Sequence, residues 1–295
     1  MSDLLLIDGP NMAHRCFWVN RELRYKNRSI NVVYGFIRQL ISLHKMFPNH
    51  FRVIAWEGGA KRRKEESEAG VASGLIPSAY KANRSREVTP EVEDIREQIM
   101  ELRRCLNLVR CIQVSVDGFE GDDVINTYVH KNLGWGGESV IVSSDNDFYP
   151  LLKDGRVTVY DAMKHETWTE RRFRLELELD PALWLDVGAL KGESGDNIHG
   201  ADGWGPVTAL KYVREHGNVD AVIAAIQGKA KRSKKEDVLL ASLDRVRLAR
   251  SLKMMDDVPS VPMPRILHSV TEDALKKYFL DYGFISLLKE AKRLV

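Results

Sequence analysis

The chain alternates short apolar runs with longer stretches of helical periodicity. Leu4-Leu5-Leu6-Ile7 is a continuous apolar run that stops at Asp8-Gly9-Pro10-Asn11, the signature of a strand buried on both faces and ended by a turn. Apolar positions then recur at helical spacing from about Val32 to Met46, and Phe51-Arg52-Val53-Ile54-Ala55-Trp56 predicts a second strand ended by Glu57-Gly58-Gly59. Thr89-Pro90-Glu91 joins a capping side chain to a proline at the first helical position and an acid in the first turn, so a helix starts there. Ile95, Ile99, Leu102 and Leu106 form its apolar face. Alternation at Ile112, Val114 and Val116 predicts a third strand, ended by Asp117-Gly118-Phe119-Glu120, with a helix from about Gly121 to Asn132. Ser139-Val140-Ile141-Val142-Ser143 predicts a fourth strand, ended by Ser144-Asp145-Asn146-Asp147, and Val157 and Val159 mark a fifth.

Strands alternating with helices predict an α/β fold with a central, largely parallel sheet flanked by helices and right-handed crossovers. Asp180-Pro181 starts a helix, and no strand pattern comes after it. A soft boundary there divides an N-terminal α/β unit, residues 1–179, from a C-terminal helical region, residues 180–295. The stretch from Gly58 to Pro90 departs from the alternation. It runs through Lys61-Arg62-Arg63-Lys64, then Glu65, Glu66 and Glu68, then small residues from Ala69 to Gly74, and is basic again at Lys81, Arg84 and Arg86. With little to build a core, it is expected to be a mobile, partly helical excursion between two core elements. Lys229 to Lys235 reads as a basic linker.

Composition narrows the picture modestly. A chain of 295 residues, 44% hydrophobic and 29% charged, suits one large core or two smaller ones. A net charge of +2 excludes proteins that bind DNA through bulk positive charge, so a nucleic-acid surface must come from local segregation. The three cysteines, Cys16, Cys105 and Cys111, form no Cys-x-x-Cys pair and no disulfide framework, which points to a reduced, cytoplasmic setting. Asp3 precedes only four apolar residues, too few for a signal peptide or a membrane span.

The candidate chemistry lies at the strand ends. The first strand ends in Asp8, the second in Glu57, the fourth in Asp145 and Asp147, and the third runs into Glu120, Asp122 and Asp123. A parallel sheet brings all of them to one edge, where ligands bind in open α/β folds. Two carboxylates about 4 Å apart repel by about 4 kcal/mol at an effective dielectric near 20, and several such pairs rival a domain's whole stability of about 5–15 kcal/mol. Any one acid is an ordinary cap or turn residue; the set needs cations. An all-oxygen site suits Mg²⁺ or Mn²⁺ rather than zinc, and two ions about 3.5–4 Å apart clamp a phosphodiester in many nucleases. Tyr80-Lys81-Ala82-Asn83-Arg84 adds a point charge and a guanidinium fork for phosphate oxygens, and an aromatic ring to stack a base. Glu193 and Asp196 stand three apart. Behind them Gly200-Ala201-Asp202-Gly203-Trp204-Gly205-Pro206 is a glycine hairpin opening a helix, either a backbone-phosphate site or a plain helix–turn–helix corner.

Over about Leu4 to Gly217 the chain resembles the 5′ nucleases: flap endonucleases, the 5′-nuclease domains of bacterial DNA polymerases and phage 5′–3′ exonucleases, most of all a stand-alone phage enzyme. Ile7-Asp8-Gly9-Pro10-Asn11, Tyr80-Lys81-Ala82-Asn83-Arg84, Glu120-Gly121-Asp122-Asp123, Ser144-Asp145-Asn146-Asp147 and Gly195-Asp196-Asn197-Ile198 carry the resemblance in order. It implies a resolvase-like or PIN-like sheet domain, a helical arch over about Gly58 to Pro90, and a helix–three-turn–helix motif around Gly200 to Gly205. Asp8, Glu57, Glu120 and Asp122 would hold a first Mg²⁺. Asp145, Asp147, Glu193 and Asp196 would hold a second, with Asp123 close by and Mn²⁺ as a substitute. Lys81 and Arg84 would act on the phosphate, with Asp122 and Asp145 as the central acids. Gly200, Gly203, Gly205 and Lys211 would meet the duplex backbone, with K⁺ at the carbonyls of Ala201 and Trp204. Glu57 and Glu193 stand where the family usually has Asp, and Val207 where it often has Lys; Lys211 is the expected replacement contact.

The implied activity is metal-dependent hydrolysis near the 5′ ends of branched DNA or RNA primers, by a monomer with no membrane association. Branched or 5′-ended DNA and RNA–DNA hybrids are the expected partners, with a clamp or single-strand-binding protein suggested by the family. The two longer acids leave room for a relative that binds branched DNA and cleaves it poorly. A PIN-type ribonuclease shares the sheet-and-acid logic but not the glycine hairpin or the Tyr80–Arg84 segment.

Overall fold

The run Leu4–Ile7 is apolar throughout because both faces are covered. In the computed structural model, which describes residues 3–19, 21–84, 89–265 and 269–295, strand β1 (Leu4–Asp8) lies inside a six-stranded sheet. Its side chains alternate between two cores: Leu5 and Ile7 enter one, Leu4 and Leu6 the other.

Helices α1 (Gly9–Trp18), α2 (Asn31–Met46), α3 (Lys61–Ala72), α4 (Pro90–Leu106) and α5 (Gly121–Gly134) alternate with the hairpin β2–β3 (Arg24–Tyr25, Arg28–Ser29), β4 (Phe51–Ala55), β5 (Ile112–Val114) and β6 (Ser139–Val142). Strands β7 (Val157–Asp161) and β8 (Glu166–Trp168) complete the sheet. Helices α6 (Glu170–Leu177), α7 (Trp184–Lys191), α8 (Pro206–His216), α9 (Val219–Gln227), α10 (Lys234–Leu240), α11 (Leu243–Lys253) and α12 (Glu272–Asp281) come next. The sheet order is β5-β4-β1-β6-β7-β8, parallel except for β8, which runs antiparallel to β7. From β1 the chain builds outward first through β4 and β5, then through β6 and β7, so the switch point falls between β1 and β6.

Elements unseen in the sequence have local reasons. The strands of the hairpin are two residues each and β8 is three, too short for a periodic signal. Asp8-Gly9-Pro10-Asn11 is not a free turn but the start of α1: the Asp8 carboxylate caps it by accepting from the Asn11 N–H, and Pro10 sits in its first turn. The same capping signature identified Thr89-Pro90, where α4 does begin.

Two expectations are corrected. The segment after Gly58 is not a loose excursion: α3 packs against α11, with Arg63, Ser67 and Gly70 buried and Arg62 bonded to Asp256 and to the Ser251 and Met254 carbonyls. The basic run therefore points partly inward. Arg86 lies outside the described residues. The last helices also do not all stay with the C-terminal region. Leu275, Phe279, Phe284, Leu287, Ala291 and Leu294 share a core with α1, α2 and α4, and the Leu294 and Arg293 carbonyls accept from the Arg110 N–H and the Arg52 guanidinium. The cysteines are free and buried. Among the described residues, no helix is long and apolar enough to cross a membrane.

Because Phe284 is wholly buried in the N-terminal core, Phe284→Ala should cost about 3–5 kcal/mol in urea unfolding; a loss typical of a surface site would contradict this docking of the C-terminus.

Candidate active site

Parallel strands end together, and short polar links fix the turns beyond them. Asp8 Oδ2 accepts from the Ser143 hydroxyl at 2.9 Å, and Ser143 Oγ accepts from the Asp145 N–H at 3.1 Å. One serine thus ties the end of β1 to the end of β6. Asn11 Oδ1 accepts from both the N–H and the hydroxyl of Ser144, and Asp145 caps the following 3₁₀ turn through the Asp147 N–H.

On the other side of β1, Gly58 exchanges backbone hydrogen bonds with Phe119 and Gly118 at 2.9 Å each. A Cβ at Gly58 would stand 2.0 Å from the Val116 carbonyl oxygen, so only glycine lets the ends of β4 and β5 approach. This places Glu57 at the start of α5, where its carboxylate accepts from the Gly121 N–H at 3.3 Å.

The remaining acids arrive from the helical region. After α7 the chain forms a tight loop in which Glu193 and Ile198 exchange backbone hydrogen bonds at 2.8 and 2.9 Å. The Ser78–Arg84 segment docks on it: Asn197 donates to Ser78 Oγ and the Ala79 carbonyl, Asn83 donates to the Ser194 carbonyl, and the Lys81 N–H donates to the Asp196 carbonyl.

The result is a cleft of about 570 Å³ lined by Asp8, Glu57, Glu120, Asp122, Asp145, Asp147, Glu193 and Asp196, together with Tyr80, Lys81 and Arg84. All of the expected acids meet there except Asp123. Its Oδ1 accepts from Arg63 and the Asp256 N–H, and its Oδ2 from Arg63 and the Glu120 N–H, so the carboxylate is buried and filled. Asp123 is a structural group and not a free ligand. Tyr80 also differs from expectation. Its ring is buried, and its hydroxyl donates to Glu120 at 2.9 Å and faces Asp196 at 3.4 Å, so it braces two acids and offers no stacking face.

The hairpin beyond is likewise divided. Gly200 is packed against the Gly192 N–H and the Leu190 carbonyl, where a Cβ would come within 2.4 Å, so it serves the fold and not a phosphate. Gly203 (φ +74°) and Gly205 are exposed, as are Val207 and Lys211. The Ala201 carbonyl accepts from the Trp204 N–H, and the buried Trp204 indole donates to the Lys235 carbonyl.

Two cations escaped sequence reading. Arg63, from α3, has 2% of its side chain exposed and pairs with Glu120 at 2.7 Å and Asp123 at 2.8 Å. Lys253, at the end of α11, reaches Asp147 at 2.7 Å and also Glu193. Arg63 lay in a basic run that reads as solvated. Lys253 carried no local signal, because only the packing of α11 aims it at the cleft. Lys81 pairs with Glu120, and Arg84 with Asp196.

Charge remains uncompensated. Burial raises the pKa of Asp8, against the bonds from Asn11 and Ser143. Burial and the neighbouring Asp123 and Glu120 charges hold Asp122 well above the usual carboxylate range, against the pull of Arg63. Burial and the Glu120 charge push Glu57 up to about 7, and burial and Asp147 push Asp145 up to about 7. Glu57 and Asp145 are exposed residues, but both line the cleft, where other acids face them. Among the described residues, no three His, Cys, Asp or Glu side chains are drawn into ligating positions; ammonium and guanidinium groups stand between several acids instead. The donor set and its unmet charge nonetheless fit hard divalent cations.

Known proteins resemble this chain over most of its length. The model of the 5′–3′ exonuclease N-terminal resolvase-like domain matches residues 3–178, and that of the 5′–3′ exonuclease C-terminal SAM fold matches residues 179–272. A 5′–3′ exonuclease of Aquifex aeolicus is 27% identical over 299 residues, covering 100% of this chain and 96% of that protein. A DNA polymerase I of Rhizobium leguminosarum is 32% identical over 270 residues, 87% of this chain but only 25% of that protein; the chain thus spans a quarter of the polymerase. A T5 5′-exonuclease structure with bound divalent metal ions (zinc) has the same fold, with a TM-score of 0.70 and 22% identity over 96% of this chain and 99% of that one.

Arg63→Met should cost about 3–5 kcal/mol in metal-free unfolding, because Glu120 and Asp123 lose their buried partner; a change near zero would show that they are compensated elsewhere.

Proposed function

The chain belongs to the 5′–3′ exonuclease family, and we propose that it is a structure-specific, metal-dependent 5′ nuclease that hydrolyses phosphodiesters near the 5′ ends of branched DNA or RNA primers. The observation that carries this reading is the convergence of acids from the ends of β1, β4 and β6, the start of α5 and the loop after α7 in one cleft, with Lys81 and Arg84 over it. Asp8, Glu57, Glu120 and Asp122 are the proposed holders of one divalent ion, and Asp145, Asp147, Glu193 and Asp196 of a second. Two Mg²⁺, or Mn²⁺ in their place, would activate a water and stabilise the leaving oxygen when bound.

The chain's own groups do the rest. Lys81 has a left-handed backbone (φ +55°) that is held by the Asp196 carbonyl, and its ammonium lies on Glu120 and 3.8 Å from Asp196. A phosphate entering the cleft competes with those carboxylates for Lys81 and for the half-exposed Arg84, so both cations bind and orient it. Tyr80 keeps Glu120 and Asp196 in position. Farther out, Gly203, Gly205 and Lys211 are the proposed duplex-backbone contacts of the helical region, with one K⁺ at the carbonyls of Ala201 and Trp204. Glu57 keeps an anchor on the Gly121 N–H despite its extra methylene.

The test is a labelled 5′-flap duplex, an RNA–DNA hybrid and free RNA, each with Mg²⁺ or with EDTA. The flap and the hybrid should be cut only with metal, and Asp145→Ala should leave both intact. Uncut flap and hybrid in Mg²⁺ would overturn the proposal, and cleavage of free RNA alone would indicate a ribonuclease instead. Lys81→Ala should slow flap cleavage by about 10²–10³-fold with little change in duplex affinity; a matching loss of binding would make Lys81 a docking group and not a catalytic one.

A further inference from the structure

Two of the cleft's cations are buried: Arg63, with 2% of its side chain exposed, on Glu120 and Asp123, and Lys253 on Asp147 and Glu193. Lys253 has 3% of its side chain exposed, against 22% for Lys81 and 58% for Arg84. Its ammonium donates to Asp147 Oδ2 at 2.7 Å and to Glu193 Oε2. Its stem crosses α7 at Gly188, where a Cβ would stand 2.5 Å from Lys253 Cε and 2.9 Å from Cδ. Helix α7 is thus notched at the one position that the lysine passes. Lys81 and Arg84 sit on the segment over the cleft and can turn toward an incoming phosphate. Lys253 runs past Gly188 and is held between Asp147 and Glu193.

The charges do not balance evenly. By formal charge, Arg63, which also lies 3.6 Å from Asp122, and Lys81 offset two of the five acids Asp8, Glu57, Glu120, Asp122 and Asp123, which leaves an excess of three. Arg84 offsets Asp196, and Lys253 offsets one of Asp147 and Glu193, which leaves two negative charges with Asp145.

We propose that Lys253 is a built-in positioning cation for Asp147 and Glu193: fixed between the two carboxylates, it stands in for charge that a divalent ion would otherwise supply, so this half of the cleft binds its ion more weakly than the Asp8, Glu57 and Asp122 half. It also keeps both acids in place when no metal is bound. The inference rests on the metal-dependent reading above.

Titration of the full chain with Mn²⁺, by calorimetry and by the spin resonance of free Mn²⁺, should give one tight and one weaker ion. In Lys253→Met, whose unbranched stem still fits over Gly188, the weaker ion should bind about tenfold tighter, and the melting temperature in EDTA should fall and recover with Mn²⁺. Unchanged or weaker second-ion binding in that variant, with normal binding by the wild type, would overturn the role of Lys253 alone. No Mn²⁺ uptake by the wild type would overturn the metal reading as well. If Lys253→Met does not fold, the same change combined with Glu193→Gln removes one charge of each sign. Recovery of the fold supports the proposal; an equally unstable double variant would mean that the lysine acts only through packing of its stem.

Discussion

Crowding of like charge at one sheet edge is the constraint on which the rest of the structure depends. A parallel sheet delivers Asp8, Glu57, Glu120, Asp122, Asp145 and Asp147 to the same end, and the loop after α7 adds Glu193 and Asp196. Protein alone can neutralise only part of this. Arg63, Lys81 and Lys253 come from three different elements, and each is fixed against a particular carboxylate. Burial, together with the charges of neighbouring acids, raises Glu57 and Asp145 to about 7, and the negative charge left over suits divalent cations.

The same pairs tie the molecule together. Arg63 reaches from α3 to the start of α5 and also donates to the Leu252 and Met254 carbonyls at the end of α11. Those bonds fix the turn that carries Lys253 into the cleft. The helix after Gly58, the acid-lined sheet edge and the C-terminal region are therefore joined through one buried guanidinium. Buried ion pairs of this kind add little net stability but are costly to break singly, so they specify an arrangement more than they strengthen it. Uncharged donors continue the network: the Ser143 hydroxyl and the Asn11 N–H hold Asp8, and the Tyr80 hydroxyl holds Glu120.

Much of this was written locally. The strand ends, the start of α4 and the acid-rich turns arise from apolar periodicity and capping residues, and the resemblance to 5′ nucleases rested on motifs contiguous in sequence. The misreadings share one cause. Asp122 and Asp123 are adjacent acids that both face Arg63, yet Asp123 is buried and filled while Asp122 also lines the cleft. Tyr80 precedes Lys81, yet its ring is buried while the ammonium reaches the cleft. Neighbours in sequence differ in direction, and direction is set by what packs against them.

Sequence alone determined the alternation of strands and helices, and hence that acids at strand ends share an edge, because hydrogen-bonding geometry and hydrophobic periodicity act over a few residues. Tertiary structure alone decided which acids stay open, which are filled by Arg63 or Lys253, and that the C-terminal helix returns to the N-terminal core. Those outcomes depend on side chains tens to hundreds of residues apart meeting in a low-dielectric interior, where a single ångström of packing decides whether a charge has a partner.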